Sequence, residues 1–266
     1  MKDLALIWQD VLITMALLMA RMLTAFSVIP LFMGNTVPMT TRMVFVAGLA
    51  AGLLPFAMAD PAISRQLGAE NWMLLAVKES LLGLILGLLA SIGFWALHAA
   101  GTIVEYQAGL SMATTIDPTS GQEDSLIGTL FMQIFIVLFL ASGGLLAMIG
   151  MLFDSYKVWP LSKMAPLVGN LELTGLAVRG VTELVSIAIK VAAPFVILML
   201  LIEVALGLLS RFAPQLNVFF LALPLKMLVL IGMLLLYGLA MTDAIRMLPI
   251  ADFSGVLRSM KEAIGG

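Results

Sequence analysis

The chain has 266 residues, of which 62% are hydrophobic and 11% are charged, and its mean hydropathy is +1.11. A soluble globular domain is about half apolar and a quarter charged, so most of this chain is expected to contact something other than water. The net charge of −2 argues against nucleic-acid binding. The absence of cysteine and the single histidine, His98, exclude thiol chemistry and a multi-histidine metal centre, and no cofactor is expected.

Six apolar stretches predict six helices, of which the second is short for a membrane crossing. They cover approximately 11–33, 43–59, 72–100, 126–153, 176–210 and 216–248. The first ten residues carry Lys2, Asp3 and Asp10 and do not resemble a cleavable signal peptide, so the first helix is expected to be retained. The predicted fold class is therefore all-α and polytopic, in one integrated domain.

The distribution of lysine and arginine predicts that both chain ends face the cytoplasm. The connections assigned to that side contain Lys2, Arg65, Lys78, Lys157, Lys163, Arg179, Arg246, Arg258 and Lys261, whereas only Arg42 and Arg211 fall on the other side. The rule assumes straight spans in lipid. Charges and prolines inside the last two stretches indicate instead that protein covers part of them.

Small residues recur every fourth position in the third stretch, at Gly83, Gly87 and Ser91. This spacing leaves one helix face nearly flat, so that another backbone can approach it closely. The partner is either another helix of the same chain or a neighbouring subunit.

The segment 101–125 is the longest polar interruption, and it holds four acidic residues without lysine or arginine. Asp117-Pro118 and Ser120-Gly121 are turn-forming pairs and predict a reversal there. A plain surface loop is one interpretation. The 108–116 portion is too apolar for a free loop and too short to span, which favours a re-entrant or pore-lining element.

The last two stretches predict an antiparallel helical hairpin that turns near 211–217, where Pro214 and Asn217 interrupt the apolar pattern. Residues equidistant from the turn then lie level, which places Glu203 opposite Lys226 and Lys190 near Asp243. Glu183, Lys190, Asp243 and Arg246 could form a small cluster. Glu203 and Lys226 point away from that cluster, and either meet each other obliquely or find partners in another subunit.

Buried charges require partners, so the Glu203–Lys226 pair is interpreted either as fixing the hairpin register or as part of a proton relay. If the two side chains pair directly, exchanging their charges should largely preserve assembly. Arg211 follows an apolar run and is placed to stabilise the C-terminal end of the fifth helix. No Walker A loop, HExxH, GxSxG or GxGxxG motif is found, so the sequence does not indicate an enzyme.

Three segments resemble the SctT/FliR family of type III secretion export-apparatus proteins. They are EVALGLLSRFAPQLNVFFLALPLKMLVLIGMLLLYGLAM at 203–241, YQAGLSMATTIDPTSGQEDSLIG at 106–128 and LFDSYKVWPL at 152–161. The third segment resembles the injectisome branch more than the flagellar branch. The resemblance extends over most of the chain.

This resemblance implies a core subunit of a helical export gate with bent helices, at the centre of the secretion basal body in the bacterial inner membrane. One copy would assemble with five SctR-like and four SctS-like subunits and contact the SctU-like switch protein, membrane lipid and unfolded secreted polypeptides. Residues 1–175 would form an SctR-like part, 176–248 an SctS-like hairpin and 249–266 a tail.

The resemblance also assigns roles to residues. The central loop, about 106–122, would act as a plug that contains Tyr106, Gln107, Gly109, Leu110, Ser111, Met112, Asp117, Pro118 and Gly121. Hairpin and subunit contacts would involve Lys190, Glu203, Arg211, Pro214, Gln215, Asn217, Pro224, Lys226 and Asp243. A secondary transporter or proton channel that uses Lys190, Glu203 and Lys226 is the rival hypothesis from another class.

Overall fold

The computed structural model describes residues 2–33, 37–59, 71–110, 125–162, 171–213, 215 and 218–247. Within these ranges the protein is all-α, as predicted, with seven α-helices, one short 3-10 helix and no strand. The α-helices are α1 Lys2–Val28, α2 Met39–Met58, α3 Asn71–Ala108, α4 Leu126–Ala141, α5 Gly144–Val158, α6 Leu171–Phe212 and α7 Val218–Met247, and the 3-10 helix is Pro30–Phe32.

Four helices of the described chain are long and apolar enough to cross a membrane: Trp8–Val28, Met39–Met58, Trp72–Ala108 and Ala177–Phe212. The pair α4 and α5 forms a fifth candidate as one broken span, and α7 contributes the shorter apolar stretch Phe220–Leu236. Pro194 lies inside α6 and Pro224 inside α7, where each removes one backbone donor from its helix.

The prediction of one continuous helix over 126–153 is wrong, because the chain breaks at Ser142 and Gly143. Gly143 has φ +78, which places it in the left-handed region, and it is the residue before α5. Glycine adopts this conformation without the steric cost that a Cβ would add. The two consecutive glycines at 143 and 144 end α4 and begin α5, and this raises the number of helices from six to seven.

The third helix is longer than predicted, because α3 continues through the first eight residues of the segment expected to be an interruption. His98 therefore lies within the helix rather than in its last turn. Of the polar side chains in this part, Glu105 bonds to Ser125 and Ile127 at the start of α4, whereas Tyr106 is exposed. Of the predicted plug residues, Ser111, Met112, Asp117, Pro118 and Gly121 lie outside the described residues.

The chain divides into two compact units. The first comprises Met1–Ile92, Gly143–Gly180 and Ala251–Gly266. Its aromatic core brings Phe26 within 4.7 Å of Phe32 and 5.6 Å of Phe45, measured between ring centroids. Backbone also packs closely in this unit, since a Cβ added at Gly87 would lie 2.5 Å from the carbonyl oxygen of Ala25.

Gly83 makes the same kind of contact, because an added Cβ would overlap the Arg21 carbonyl and the Thr24 hydroxyl. Ser91 is buried and its hydroxyl donates to the Leu88 carbonyl at 2.8 Å. The flat face predicted on the third helix is therefore present, and at Gly83 and Gly87 its partner is α1 of the same chain.

The second unit comprises Gly93–Ser142 and Val181–Ile250. Its core is built from phenylalanines of α3, α4 and α6: Phe94 lies 4.8 Å from Phe135 and 5.1 Å from Phe139, and Phe131 lies 5.6 Å from Phe195. These rings bury large apolar areas and hold the three helices together. The division at residue 175 that the family resemblance implies stays a prediction.

Candidate functional site at the stem of the central loop

Glu105 joins the two ends of the central loop. It lies in the last turns of α3, is 8% exposed, and its Oε2 accepts hydrogen bonds from the Ser125 hydroxyl at 2.6 Å and from the Ile127 N–H at 2.8 Å. A carboxylate at this place is stabilised by the free N–H groups of the first turn of α4. The segment between Leu110 and Ser125 therefore begins and ends at one place.

Ser125 completes this closure from the other side. It is the N-cap of α4, and its Oγ accepts from the Gly128 N–H at 2.8 Å while its O–H donates to Glu105. Two glycines allow α3 and α4 to approach here: a Cβ at Gly101 would lie 2.5 Å from the Ile127 carbonyl oxygen, and one at Gly128 would lie 2.9 Å from the His98 carbonyl oxygen.

The C-terminal end of α3 is closed by a glycine turn. Gly109 has φ +82, its N–H donates to the Tyr106 carbonyl at 3.1 Å, and the Leu110 N–H donates to the Glu105 carbonyl at 3.3 Å. Helices commonly end with glycine in this conformation, because it returns backbone donors to the last free carbonyls. This is the sequence signal that ends α3 at Ala108.

Lys226 of α7 contacts the same helix end. It is 7% exposed, and its Nζ donates to the Gln107 carbonyl oxygen at 2.9 Å and pairs with Glu203 Oε1 of α6. The Gln107 side-chain amide donates to the second oxygen of Glu203 at 3.4 Å. Glu203 and Lys226 thus pair with each other, which is one of the two alternatives that the hairpin left open. The shared partner Gln107 was not foreseen.

The remaining hairpin residues have less defined surroundings. Helix α6 ends at Phe212 and α7 begins at Val218, close to the turn predicted near 211–217, and Arg211 lies in the last turn of α6. Lys190, Arg211, Gln215 and Pro224 are exposed, as is Tyr106 of the predicted plug. Pro214, Asn217 and the side chain of Asp243 lie outside the described residues, so the proposed cluster around Lys190 stays a prediction.

A second polar site lies in the first unit, and sequence reasoning missed it. Arg21 of α1 and Glu79 of α3 are both 0% exposed and pair at 2.5 Å. The other nitrogens of the Arg21 guanidinium donate to the Ser155 hydroxyl and the Trp159 carbonyl, each at 3.0 Å, and its carbon lies 4.0 Å from the centroid of the Tyr156 ring.

Lys78 completes this site. It is 3% exposed, pairs with Glu79 Oε1 at 2.8 Å and donates to the Leu161 carbonyl at 3.0 Å. Its assignment to a connection in the topology prediction is therefore wrong: the lysine belongs to α3 and serves a buried contact. The available signal was a charge pair, Lys78-Glu79, in an apolar helix, together with an isolated arginine in another.

Both sites hold backbone in place, and neither combines a nucleophile with a base. Among the described residues, no group of three or more histidine, aspartate and glutamate side chains could hold a metal ion.

Comparison with known proteins agrees with the resemblance. Residues 12–248 match the model of the family described as bacterial export proteins, family 1. The Yop proteins translocation protein T of Yersinia pestis is 36% identical over 234 residues, which cover 88% of each chain. The surface presentation of antigens protein SpaR of Shigella flexneri is 34% identical over 79% of each chain.

The flagellar biosynthetic protein FliR of Bacillus subtilis is 32% identical over 219 residues, which cover 82% of this chain and 83% of the relative. Secretion and flagellar relatives thus match across almost the same length, and the injectisome-like branch is favoured. The apolar helices and the family together indicate a multi-pass membrane protein of the inner membrane. The chain belongs to family 1 of the bacterial export proteins.

Proposed function

We propose that this protein is a core subunit of a type III secretion export gate, where it forms part of the pore for unfolded polypeptides and gates it with the central loop. The observation that carries the proposal is the closed stem: Glu105 holds Ser125 and the start of α4 against the end of α3. A segment tied at both ends can block a pore without leaving it, because its base remains anchored while its middle is displaced.

Large apolar side chains remain exposed along α6 and α7, which supports a role inside an assembly or in lipid. Examples are Val181, Val185, Ile197, Leu201, Leu208, Leu228 and Leu235. We propose that SctR-like and SctS-like subunits cover part of this surface, in a complex with one copy of this chain, and that the SctU-like switch protein and the basal body adjoin it. Because the injectisome-like branch is favoured, we propose that the exported polypeptides are substrates of an injectisome.

The plug role is tested by removing residues 109–121 from the chain in the assembled complex. The expected result is a raised ion conductance of membranes that contain the complex. A matched control replaces the same residues by glycine and serine at equal length and keeps Glu105 and Ser125, which separates loss of plug chemistry from loss of the stem. Unchanged conductance in an assembled deletion variant would contradict the plug role.

The subunit role is tested by co-expression with SctR-like and SctS-like partners and native mass spectrometry. A defined hetero-oligomer with one copy of this chain is expected. A stable monomer that transports solute alone would instead favour the transporter hypothesis. The structure gives the transporter hypothesis little support, because Lys226 pairs with Glu203 and donates to a backbone carbonyl.

A further inference from the structure

Lys226 does more than neutralise Glu203, because it also satisfies a helix end. The last carbonyls of a helix have no partner inside the helix. At the end of α3, the Leu110 N–H donates to the Glu105 carbonyl and the Gly109 N–H donates to the Tyr106 carbonyl. The Gln107 carbonyl accepts from Lys226 Nζ. A side chain from α7 therefore supplies the donor that backbone does not provide, and its positive charge suits the C-terminal end of a helix.

Glu203 holds the same residue by its side chain. One carboxylate oxygen pairs with Lys226 and the other accepts from the Gln107 amide at 3.4 Å. Gln107 is thus bound through its backbone by α7 and through its side chain by α6. Close packing adds to this, since a Cβ at Gly109 would lie 2.9 Å from Leu223 Cδ2.

We propose that Lys226, Glu203 and Gln107 form a loop clamp, which couples the C-terminal hairpin to the end of α3, where the central loop begins. Any movement that separates α6 from α7 at this level removes one or both bonds to Gln107, and where the Lys226 bond is lost the end of α3 loses its external donor. This inference rests on the proposed gating role for its biological meaning. The contacts of the clamp keep the stem ordered, and this part of the inference does not depend on the gating role.

The clamp differs from a plain ion pair in the effect of exchanging the charges. In E203K/K226E the opposite charges remain adjacent, but a carboxylate then faces the Gln107 carbonyl and cannot donate to it. A plain pair predicts that the exchange restores the parent behaviour. The clamp predicts that it does not. Lys226→Arg, which keeps charge and donors, is expected to retain the clamp in part.

The absence of cysteine in the chain allows a direct measurement. Residue 110 follows Gly109 and is half-buried. The rate at which a Leu110→Cys variant reacts with a maleimide in the assembled complex therefore reports opening of the stem. Because opening exposes this position, we expect Lys226→Met to raise the rate about tenfold and Glu203→Gln about threefold. The exchange variant is expected to behave like Lys226→Met, and Lys226→Arg to lie near the parent.

Two controls separate local from general loosening. Ser142→Cys, in the same unit but at the far end of α4, should react at the parent rate in every clamp variant. Lys157→Ala removes an exposed ion pair of the first unit and should leave the Leu110→Cys rate unchanged.

Parent-like labelling in Lys226→Met or in the exchange variant would overturn the clamp. If Lys226→Met does not assemble, Glu203→Gln decides: a parent-like rate there overturns the clamp equally. The labelling rate does not depend on conductance, so the outcomes are distinct from those of the loop deletion. Faster labelling together with a deletion that leaves conductance unchanged would uphold the clamp and refute the plug.

Discussion

The two units use the same device at two helix ends with different degrees of burial. In the first unit, Arg21 and Lys78 donate to carbonyls just beyond α5, and Glu79 balances their charge. In the second, Lys226 donates to the last turn of α3 and Glu203 balances it. Glu79 is 0% exposed whereas the Glu203 side chain is 44% exposed.

This difference separates a permanent contact from a reversible one. Breaking a fully buried pair leaves a charge without water or partner, which costs several kcal/mol. When Glu203 separates from Lys226, water can solvate the freed carboxylate while the buried Lys226 keeps the Gln107 carbonyl as a partner, and the cost is smaller. The first site is therefore suited to hold the fold together. The second is suited to a contact that opens and closes during function.

The largest effect is expected for Glu79→Gln, which keeps the shape but removes the negative charge that Arg21 and Lys78 both contact. We expect a loss of about 3–5 kcal/mol in the free energy of unfolding. Thermal unfolding of the purified complex in detergent measures it. The triple variant Arg21→Met, Lys78→Met, Glu79→Leu removes all three charges and should recover most of this loss. A loss under about 1 kcal/mol would mean that the carbonyls alone stabilise both cations.

The glycine contacts of the two units come next. An added methyl group at Gly87 would meet the Ala25 carbonyl, and one at Gly101 would meet the Ile127 carbonyl, each at 2.5 Å. Each alanine substitution should destabilise the protein by about 1–3 kcal/mol, measured by the same unfolding assay. Gly207→Ala is the matched control, because no atom of the described residues lies within 4 Å of its added Cβ. Equal melting temperatures for all three would show that the helices separate readily.

Lys226→Met sharpens the comparison directly. It should cost about 1–2 kcal/mol of unfolding free energy, less than Glu79→Gln, because it removes hydrogen bonds while its charged partner remains solvated. Lys226→Arg should lie between this variant and the parent. A cost as large as that of Glu79→Gln would remove the distinction between a permanent and a reversible site.

The smallest effect is expected at the exposed pair of Lys157 and Asp154, whose side chains are 66% and 52% exposed. Lys157→Ala should change the unfolding free energy by about 0–0.5 kcal/mol. The melting temperature at low and high salt checks this, and a shift comparable to that of Lys226→Met would show that burial does not rank these pairs.

Sequence patterns were sufficient to predict features that depend on the spacing of residues along one helix or on either side of one turn. The positions of Gly83 and Gly87 on one face and the level of Glu203 with Lys226 both follow from helical geometry. The predicted plug runs over about 106–122, and its residues from 111 onward lie outside the described residues, so that part of the site stays a prediction. The family resemblance was confirmed over residues 12–248.

Contacts between distant elements could not be predicted in this way. Arg21 and Glu79 are 58 residues apart, and Gln107 and Lys226 are 119 apart, with no local pattern linking either pair. The single charges in apolar runs showed that partners must exist, without showing which. The break at Gly143 had a local signal, the glycine pair, which the strong apolar run around it outweighed.

The span of the Arg21 contacts has a consequence for biosynthesis. Its guanidinium bonds reach Glu79 and then Ser155 and Trp159, the last of them 138 residues away. While the ribosome has made only α1, this arginine has none of these partners, and it stays a costly charge for a membrane until α3 and α5 emerge. The first helix can therefore reach its final packing only after Trp159 has been synthesised, at about three-fifths of the chain, and a chain that stops earlier keeps an arginine without these partners.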